Sequence, residues 1–369
     1  MCVYMNYLKV VADKTVAEKY TVPNVIFDCF EKRDGVHYVK PGYIEAVNKY
    51  KSIDMRYNAF DWQNGVGFFG LIEADKVLKD EKYIEFIREW AEYHIKEGLP
   101  PITVNTTIPY YGILHLYKKY GTAVYYGLCD SAAKFVMSEA VRADEGTLEH
   151  TVLDGNNPSQ IWADTVFMGC IFLAEWGKFT GNIMYQNEAA RQILLHYKYL
   201  TDNETGLMFH AYSCLNRDNL SMVRWGRANG WGIVSCVEIL DRIPEYHKSV
   251  EQIKDNLKKH IDSMVAYQAE DGGFCTVMNN TDTYSETTIT CCVYYAIKKA
   301  LSKGYIEGDY SLVLKKAEEY IISKIAPDGE VIGTSAGTPV MASDEEYNKI
   351  PCAMSYYGQG LALLALAVM

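Results

Sequence analysis

Two short stretches bring together residue types that do chemistry. In QIWADTVFMG (160–169), Trp162 and Asp164 stand at the head of an apolar run that reads as a buried helix. Asp164 there has two readings. A carboxylate at a helix N-terminus is ordinary start chemistry, because the free N–H groups favour it. Set in a pocket, the same group is a general acid or base. N–H groups would lower its pKa and burial beside Trp162 would raise it, so the stretch alone leaves its protonation state open. In RWGRANGW (224–231), Arg224 and Arg227 flank an aromatic just before another apolar run. Arginine so placed needs an anion, either a protein carboxylate or a ligand. Its planar fork suits a carboxylate bidentately. We read Arg227 as ligand-binding, with a structural ion pair as the alternative. Trp225 and Trp231 fit a sugar-stacking surface or plain core.

These residues need a scaffold, and helical periodicity supplies one. Apolar residues recur at three- and four-residue spacing, with charges between, in 43–50, 83–95, 124–141, 188–200, 250–267 and 312–325. A second set, 65–74, 108–116, 166–176, 232–240, 288–296 and 360–368, is apolar nearly all round. Helices without a polar face are buried on all sides. The sets alternate, one wet helix before each dry one. Six such hairpins predict an inner ring within an outer ring: an all-α, (α/α)6 double-ring barrel. The expected domain is a single one over 1–369, with 1–40, including a helix at about 5–20, as a peripheral N-terminal segment.

A second repeat orders the connections. ADEGTLEH (143–150), TDNETGLMFH (201–210), AEDGGF (269–274) and APDGEV (326–331) each turn at Asp and Gly and lead towards an inner helix. The long loops therefore share one end of the barrel, where functional residues collect on a rigid frame. Reading inner-helix entries in order gives Asp61, Trp62, Gln63 and Asn64; Asn105; Gln160, Trp162 and Asp164; His210 with Trp225, Arg227 and Trp231; Ser285 and Glu286; and Ser355, Tyr356 and Tyr357. Asn105 and Ser285 serve equally well as helix caps.

Composition removes other classes. The net charge of −11 argues against nucleic acid as a partner. No run of about 20 apolar residues predicts a membrane span. The N-terminus lacks a basic region followed by an apolar core and a cleavage site, so the expected location is cytoplasmic. The ten cysteines include no C-x-x-C pair and read as reduced core residues. No His/Cys cluster has zinc spacing, and neither metal nor organic cofactor is expected. The 30 tyrosines and 6 tryptophans suit a sugar cleft as well as a core. GTSAG (333–337) matches the nucleophile-elbow pattern, but Thr338 and Pro339 follow where a helix should.

QIWADTVFMG with FLAEWGKFTGN, GLMFHAY, RWGRANGW, GTSAGTP and the terminal YYGQG together resemble the unsaturated rhamnogalacturonyl hydrolases, glycoside hydrolase family 105. The likeness runs from about Trp62 to the C-terminus. Ala228 stands where that family's W-x-R-G-N-G-W pattern has its first glycine. The resemblance implies the same barrel and a small acidic oligosaccharide substrate. Its non-reducing end would be a Δ4,5-unsaturated uronic acid, with rhamnose as the default neighbour. It implies Asp164 as general acid/base, with His210, Trp225, Arg227 and Trp231 lining the substrate site. Trp62 and Trp162 are expected beside them. The related unsaturated glucuronyl hydrolases carry a second essential aspartate near the position of Asn105, which is given a hydrogen-bonding role here. The rivals are an ordinary glycosidase or epimerase, using Glu286 or Asp61 as second carboxylate, and an inactive sugar-binding module. Oligomeric state is not legible.

Overall fold

The computed structural model describes residues 2–19, 29–50, 55–153, 155 and 157–369. Six buried helices form the inner ring: α3 (Trp62–Leu78), α5 (Pro109–Tyr120), α7 (Ile171–Thr180), α9 (Gly226–Leu240), α11 (Thr287–Ser302) and α14 (Tyr356–Ala367). Each packs on the next in chain order, a π-helical turn (Val166–Cys170) joining α7 to α9, and α14 returns to α3 to close the ring. The chain is an (α/α)6 barrel. Closure needs two glycines. A Cβ on Gly70 would lie 2.2 Å from the Gly360 carbonyl oxygen, and one on Gly360 would lie 2.5 Å from that of Val66. Backbone meets backbone at this seam.

The outer ring holds α4 (Lys82–Glu97), α6 (Ala123–Lys134), α8 (Ile183–Leu200), α10 (Val250–Val265) and α12 (Ser311–Ser323), each laid on inner helices. Its sixth place departs from expectation. The helix α2 (Tyr43–Tyr50) does form, but it packs on a hairpin through Phe30 and Tyr43, whose ring centroids lie 5.0 Å apart. The outer place over α14 and α3 belongs to α1 (Cys2–Ala17). Leu8, Val11, Ala12 and Thr15 of α1 fall on one helical face and are buried in the main core. The N-terminal segment expected to be peripheral thus supplies part of the barrel wall. Its residues 20–28, including the expected helix end at Tyr20, lie outside the described ones.

At the loop end lie short strands. The hairpin β1 (Phe30–Arg33) and β2 (Val36–Val39) is antiparallel. A three-stranded sheet joins β3 (Gln160–Trp162), β4 (Ala211–Ser213) and β5 (Asp218–Asn219), and β6 (Phe274–Cys275) pairs with β7 (Ser285–Glu286). The Asp/Gly turns behave as read. Single bridges Arg142↔Leu148, Thr201↔Met208 and Ile325↔Val331 flank three of them, with positive φ at Glu145, Gly146, Gly206 and Gly329. One expectation changes: 160–162 is strand, and the inner helix proper follows the π-helical turn. Such turns recur at functional sites. Cys129, Cys170, Cys236, Cys291 and Cys292 are buried free thiols. Among the described residues no helix is long and apolar enough to cross a membrane.

Candidate active site

Strand pairing assembles the site. Trp162 pairs with Ala211, and the Ala163 amide donates to the His210 carbonyl at 3.0 Å. At Ala163 the chain turns out of the strand, and Asp164, at the start of the following helical turn, meets His210 from beyond the strand end. His210 Nε2 lies 3.2 Å from Asp164 Oδ2, and its Nδ1 lies 2.6 Å from the Tyr347 hydroxyl. The Asp164 carboxylate bonds to His210 rather than to the amides of the following turn. The helix-start reading of Asp164 therefore gives way to a side-chain pair. His210 is 0% exposed, whereas the Asp164 side chain keeps 15% exposure. The aspartate is the member of the pair that solvent reaches.

Electrostatics follow from this packing. Burial pushes the Asp164 carboxyl up, but the hydrogen bond and charge of His210, aided by His150, outweigh it and hold it below the ordinary aspartate value. Burial drives His210 down and Arg227 adds to that, against the pull of Asp164. Burial also takes His150 down, to about 4. At neutral pH the resting pair is a carboxylate and a neutral imidazole.

The aromatic residues divide by exposure. Trp225 is buried, its ring 4.2 Å from His210 and 5.9 Å from Tyr347. It floors the histidine, so its faces are covered by protein. Trp231 is also buried, packed at 4.6 Å on Phe167 and edge-on to Trp62 at 6.4 Å. Trp162 is sandwiched by His150, stacked at 4.6 Å and 9°, and meets His210 edge-on. Trp62, half-buried and stacked on Tyr357 at 4.6 Å, keeps part of its ring open. Of the four tryptophans read as substrate-binding, Trp62 alone is more than marginally exposed.

Arg227 also differs from expectation. It is 1% exposed, and its guanidinium donates to the Ser335 carbonyl (2.9 Å) and hydroxyl (2.7 Å), the Ala336 carbonyl (3.0 Å) and Thr338 Oγ1 (3.2 Å). Glu286 lies 3.4 Å away. Arg227 thus makes the structural ion pair weighed as its alternative, and it clamps the GTSAGTP loop. Ser335, in that loop, is followed by no helix, and its hydroxyl is held by Arg227 and Glu286. Arg224 pairs with Asp202 at 2.8 Å. Glu286 caps α11 by accepting from the Ile289 amide at 3.0 Å, and it also takes the Ser335 amide at 2.9 Å and the Thr288 hydroxyl at 2.5 Å. Asp61 caps α3 through the Trp62 amide at 2.8 Å. Ser355, also an expected entry residue, caps α14 through Gly358 at 3.0 Å. Ser285 does not cap: its neighbour Glu286 does.

Asn105 lies buried in a short 3-10 turn before α5, and its Oδ1 has no hydrogen-bond partner. Gln63 Oε1, Asn64 Oδ1 and Trp231 Nε1 are likewise buried and unpartnered. All four belong to inner-helix entries. Buried polar atoms are normally satisfied, so these four stand out among the entry residues. Two residues escaped the sequence reading. His150 had a signal: it ends ADEGTLEH as His210 ends TDNETGLMFH, the same place in the repeat. Tyr347, in SDEEYN, had none. Among the described residues no cluster of His, Cys, Asp and Glu could hold a metal ion.

The model of Glycosyl Hydrolase Family 88 matches residues 37–369. The chain belongs to this family. It is 33% identical over 312 residues to the unsaturated rhamnogalacturonyl hydrolase YesR of Bacillus subtilis, covering 84% of this chain and 89% of that one. A solved structure from Salmonella enterica serovar Paratyphi A, a possible member of family GH105, superposes with TM-score 0.87 at 28% identity, covering 99% of this chain and 93% of the other. The unsaturated glucuronyl hydrolase of Bacillus sp. GL1 shares the fold at TM-score 0.65 and 14% identity, over 98% and 94% of the two chains. The resemblance to the unsaturated uronyl hydrolases holds, and this family-88 chain is a glycoside hydrolase.

Proposed function

We propose that this family-88 enzyme removes the Δ4,5-unsaturated uronic acid from the non-reducing end of lyase-generated oligosaccharides. An unsaturated rhamnogalacturonan disaccharide is its substrate, encountered in the cytoplasm. The observation that carries the reading is the state of the carboxylates. Asp164 keeps part of its side chain exposed, while Glu286 and Asp61 are committed to caps and loop amides. An ordinary glycosidase needs two carboxylates across the anomeric carbon. Hydration of an enol ether needs one.

The substrate ring contains C4=C5–O. Protonation at C4 gives an oxocarbenium ion at C5, and water adds there. The hemiketal opens and expels the aglycone. His210 occupies Oδ2 of Asp164, which leaves Oδ1 to carry the exchangeable proton. Asp164 rests as a carboxylate, and two effects of substrate raise its pKa on binding: the negative uronate and the exclusion of water. Asp164 then protonates C4 and, as carboxylate again, takes a proton from the attacking water. Asn105 and Gln63 offer acceptors to sugar hydroxyls, and Trp62 offers a ring face. The test is incubation with an unsaturated rhamnogalacturonan disaccharide and, beside it, other unsaturated uronides. The ultraviolet absorbance of the conjugated enol ether is followed. Its loss supports the reading, and unchanged absorbance across the panel refutes it.

A further inference from the structure

We propose that Tyr347 is a positioning residue of this site: its hydroxyl donates to His210 Nδ1 and so keeps the His210 proton on Nε2, facing Asp164. A neutral imidazole has one N–H, and what the other nitrogen meets decides where it sits. Tyr347 Oη lies 2.6 Å from Nδ1, and Asp164 Oδ2 lies 3.2 Å from Nε2. Two arrangements are conceivable. In one, Tyr347 donates to Nδ1 and Nε2–H donates to the Asp164 carboxylate. In the other, Nδ1–H donates to the phenol, and a bare Nε2 faces a carboxylate oxygen. That second arrangement is repulsive unless Asp164 is itself protonated.

The surroundings of Tyr347 select the first. The Met341 amide donates to the phenol oxygen, and the Ser221 hydroxyl bears on it as a further donor, so the phenol proton is directed to Nδ1. Burial keeps that phenol protonated. The ring of His210 cannot swing away, because Trp225 lies against it at 4.2 Å and Trp162 abuts it at 5.2 Å. Beyond these and Asp164, the charged or titratable groups that bear on His210 and Tyr347 are His150, stacked on Trp162, His37 on β2, Arg227 on α9 and Asp344. None of them displaces Tyr347 from Nδ1.

Tyr347 is itself held from outside the barrel. It sits on the five-residue α13 (Asp344–Asn348), where Ser343 Oγ accepts from the Glu346 amide at 3.3 Å. The strap before it is stitched to β2: His37 N–H to the Val340 carbonyl at 2.8 Å, and Ala342 N–H to the His37 carbonyl at 3.0 Å. Glu346 accepts from the Val39 amide at 2.7 Å. A line of contacts therefore runs from the N-terminal hairpin through the strap and Tyr347 to His210 and Asp164.

The proposal deepens the reading of Asp164 as the reacting group, but its first test does not depend on turnover. Protein labelled with 15N-histidine is studied at neutral pH, with His210 assigned by the signal lost in His210→Gln. The expected spectrum shows a protonated Nε2 and an unprotonated, hydrogen-bonded Nδ1. Tyr347→Phe should give a mixed or Nδ1–H pattern. With an unsaturated disaccharide, that variant should lose about tenfold in kcat with KM little changed, as for one hydrogen bond acting through another group. Its alkaline pH limb should move upward, because a weaker bond from Nε2 no longer favours the carboxylate. An Nδ1–H pattern in the unaltered enzyme overturns the proposal, as does an unchanged Nε2–H pattern in a folded Tyr347→Phe. If that variant does not fold, the spectrum of the unaltered enzyme decides alone. An Nε2–H pattern in a protein that consumes no unsaturated uronide upholds the proposal and rejects the proposed function instead.

Discussion

His210 and Asp164 meet just beyond the end of the Trp162–Ala211 strand pairing, where the chain turns at Ala163, with Nε2 3.2 Å from Oδ2. The buried imidazole thus occupies one carboxylate oxygen of a side chain that keeps 15% exposure. Most of the expected chemistry rests on that one contact.

Asp164→Asn keeps the shape of the side chain and removes its exchangeable proton. Turnover of the unsaturated substrate, read from the loss of enol-ether absorbance, should fall roughly a hundredfold to ten-thousandfold. Thermal stability should change little. A variant with more than a tenth of the original kcat would remove Asp164 from the mechanism.

The pH profile should follow Asp164. In the proposed mechanism its protonated form delivers the proton to C4, so kcat should fall as pH rises through the pKa of the enzyme–substrate complex. His210 lowers that pKa by stabilising the carboxylate. His210→Gln weakens that stabilisation, so the acid form should persist to higher pH. The alkaline limb of kcat should shift upward while its maximum drops. A downward shift would contradict the assigned direction.

Arg227 should matter first to stability. Arg227→Met leaves Glu286 as a buried charge without its cation and frees the Ser335–Thr338 loop. Removing one partner of a buried pair costs about 3–5 kcal/mol. Denaturant melts should show a loss in that range. A fully stable variant with a raised KM would restore Arg227 to the role of substrate ligand.

Gly70→Ala should strain the seam between α3 and α14. The new methyl would meet the Gly360 carbonyl at 2.2 Å, a backbone atom that cannot step aside cheaply. Overpacking of this kind costs about 1–3 kcal/mol. The midpoint of urea unfolding should fall with the slope unchanged, and Gly70→Ser should behave similarly. No change in midpoint would mean that the helices separate without cost.

The sequence by itself determined the barrel. Wet and dry helices alternate along the chain, and that pattern is local, written in the spacing of apolar residues such as Val66–Ile72 and Ile233–Leu240. The Asp/Gly repeat placed the long loops at one end, and the motifs singled out Asp164 and His210. Only the tertiary structure decided which groups are occupied. Arg227 and Glu286 look in sequence like residues awaiting a ligand, yet contacts 59 and 108 residues away in the chain occupy the terminal guanidinium nitrogens of Arg227. Trp225 and Trp231 look like stacking platforms, yet protein covers their faces. Tyr347 carries no motif at all and reaches His210 across 137 residues. The physical reason is common to these cases. Periodicity reports which side of an element is buried, whereas hydrogen-bond satisfaction depends on partners that only folding brings within 3 Å or so.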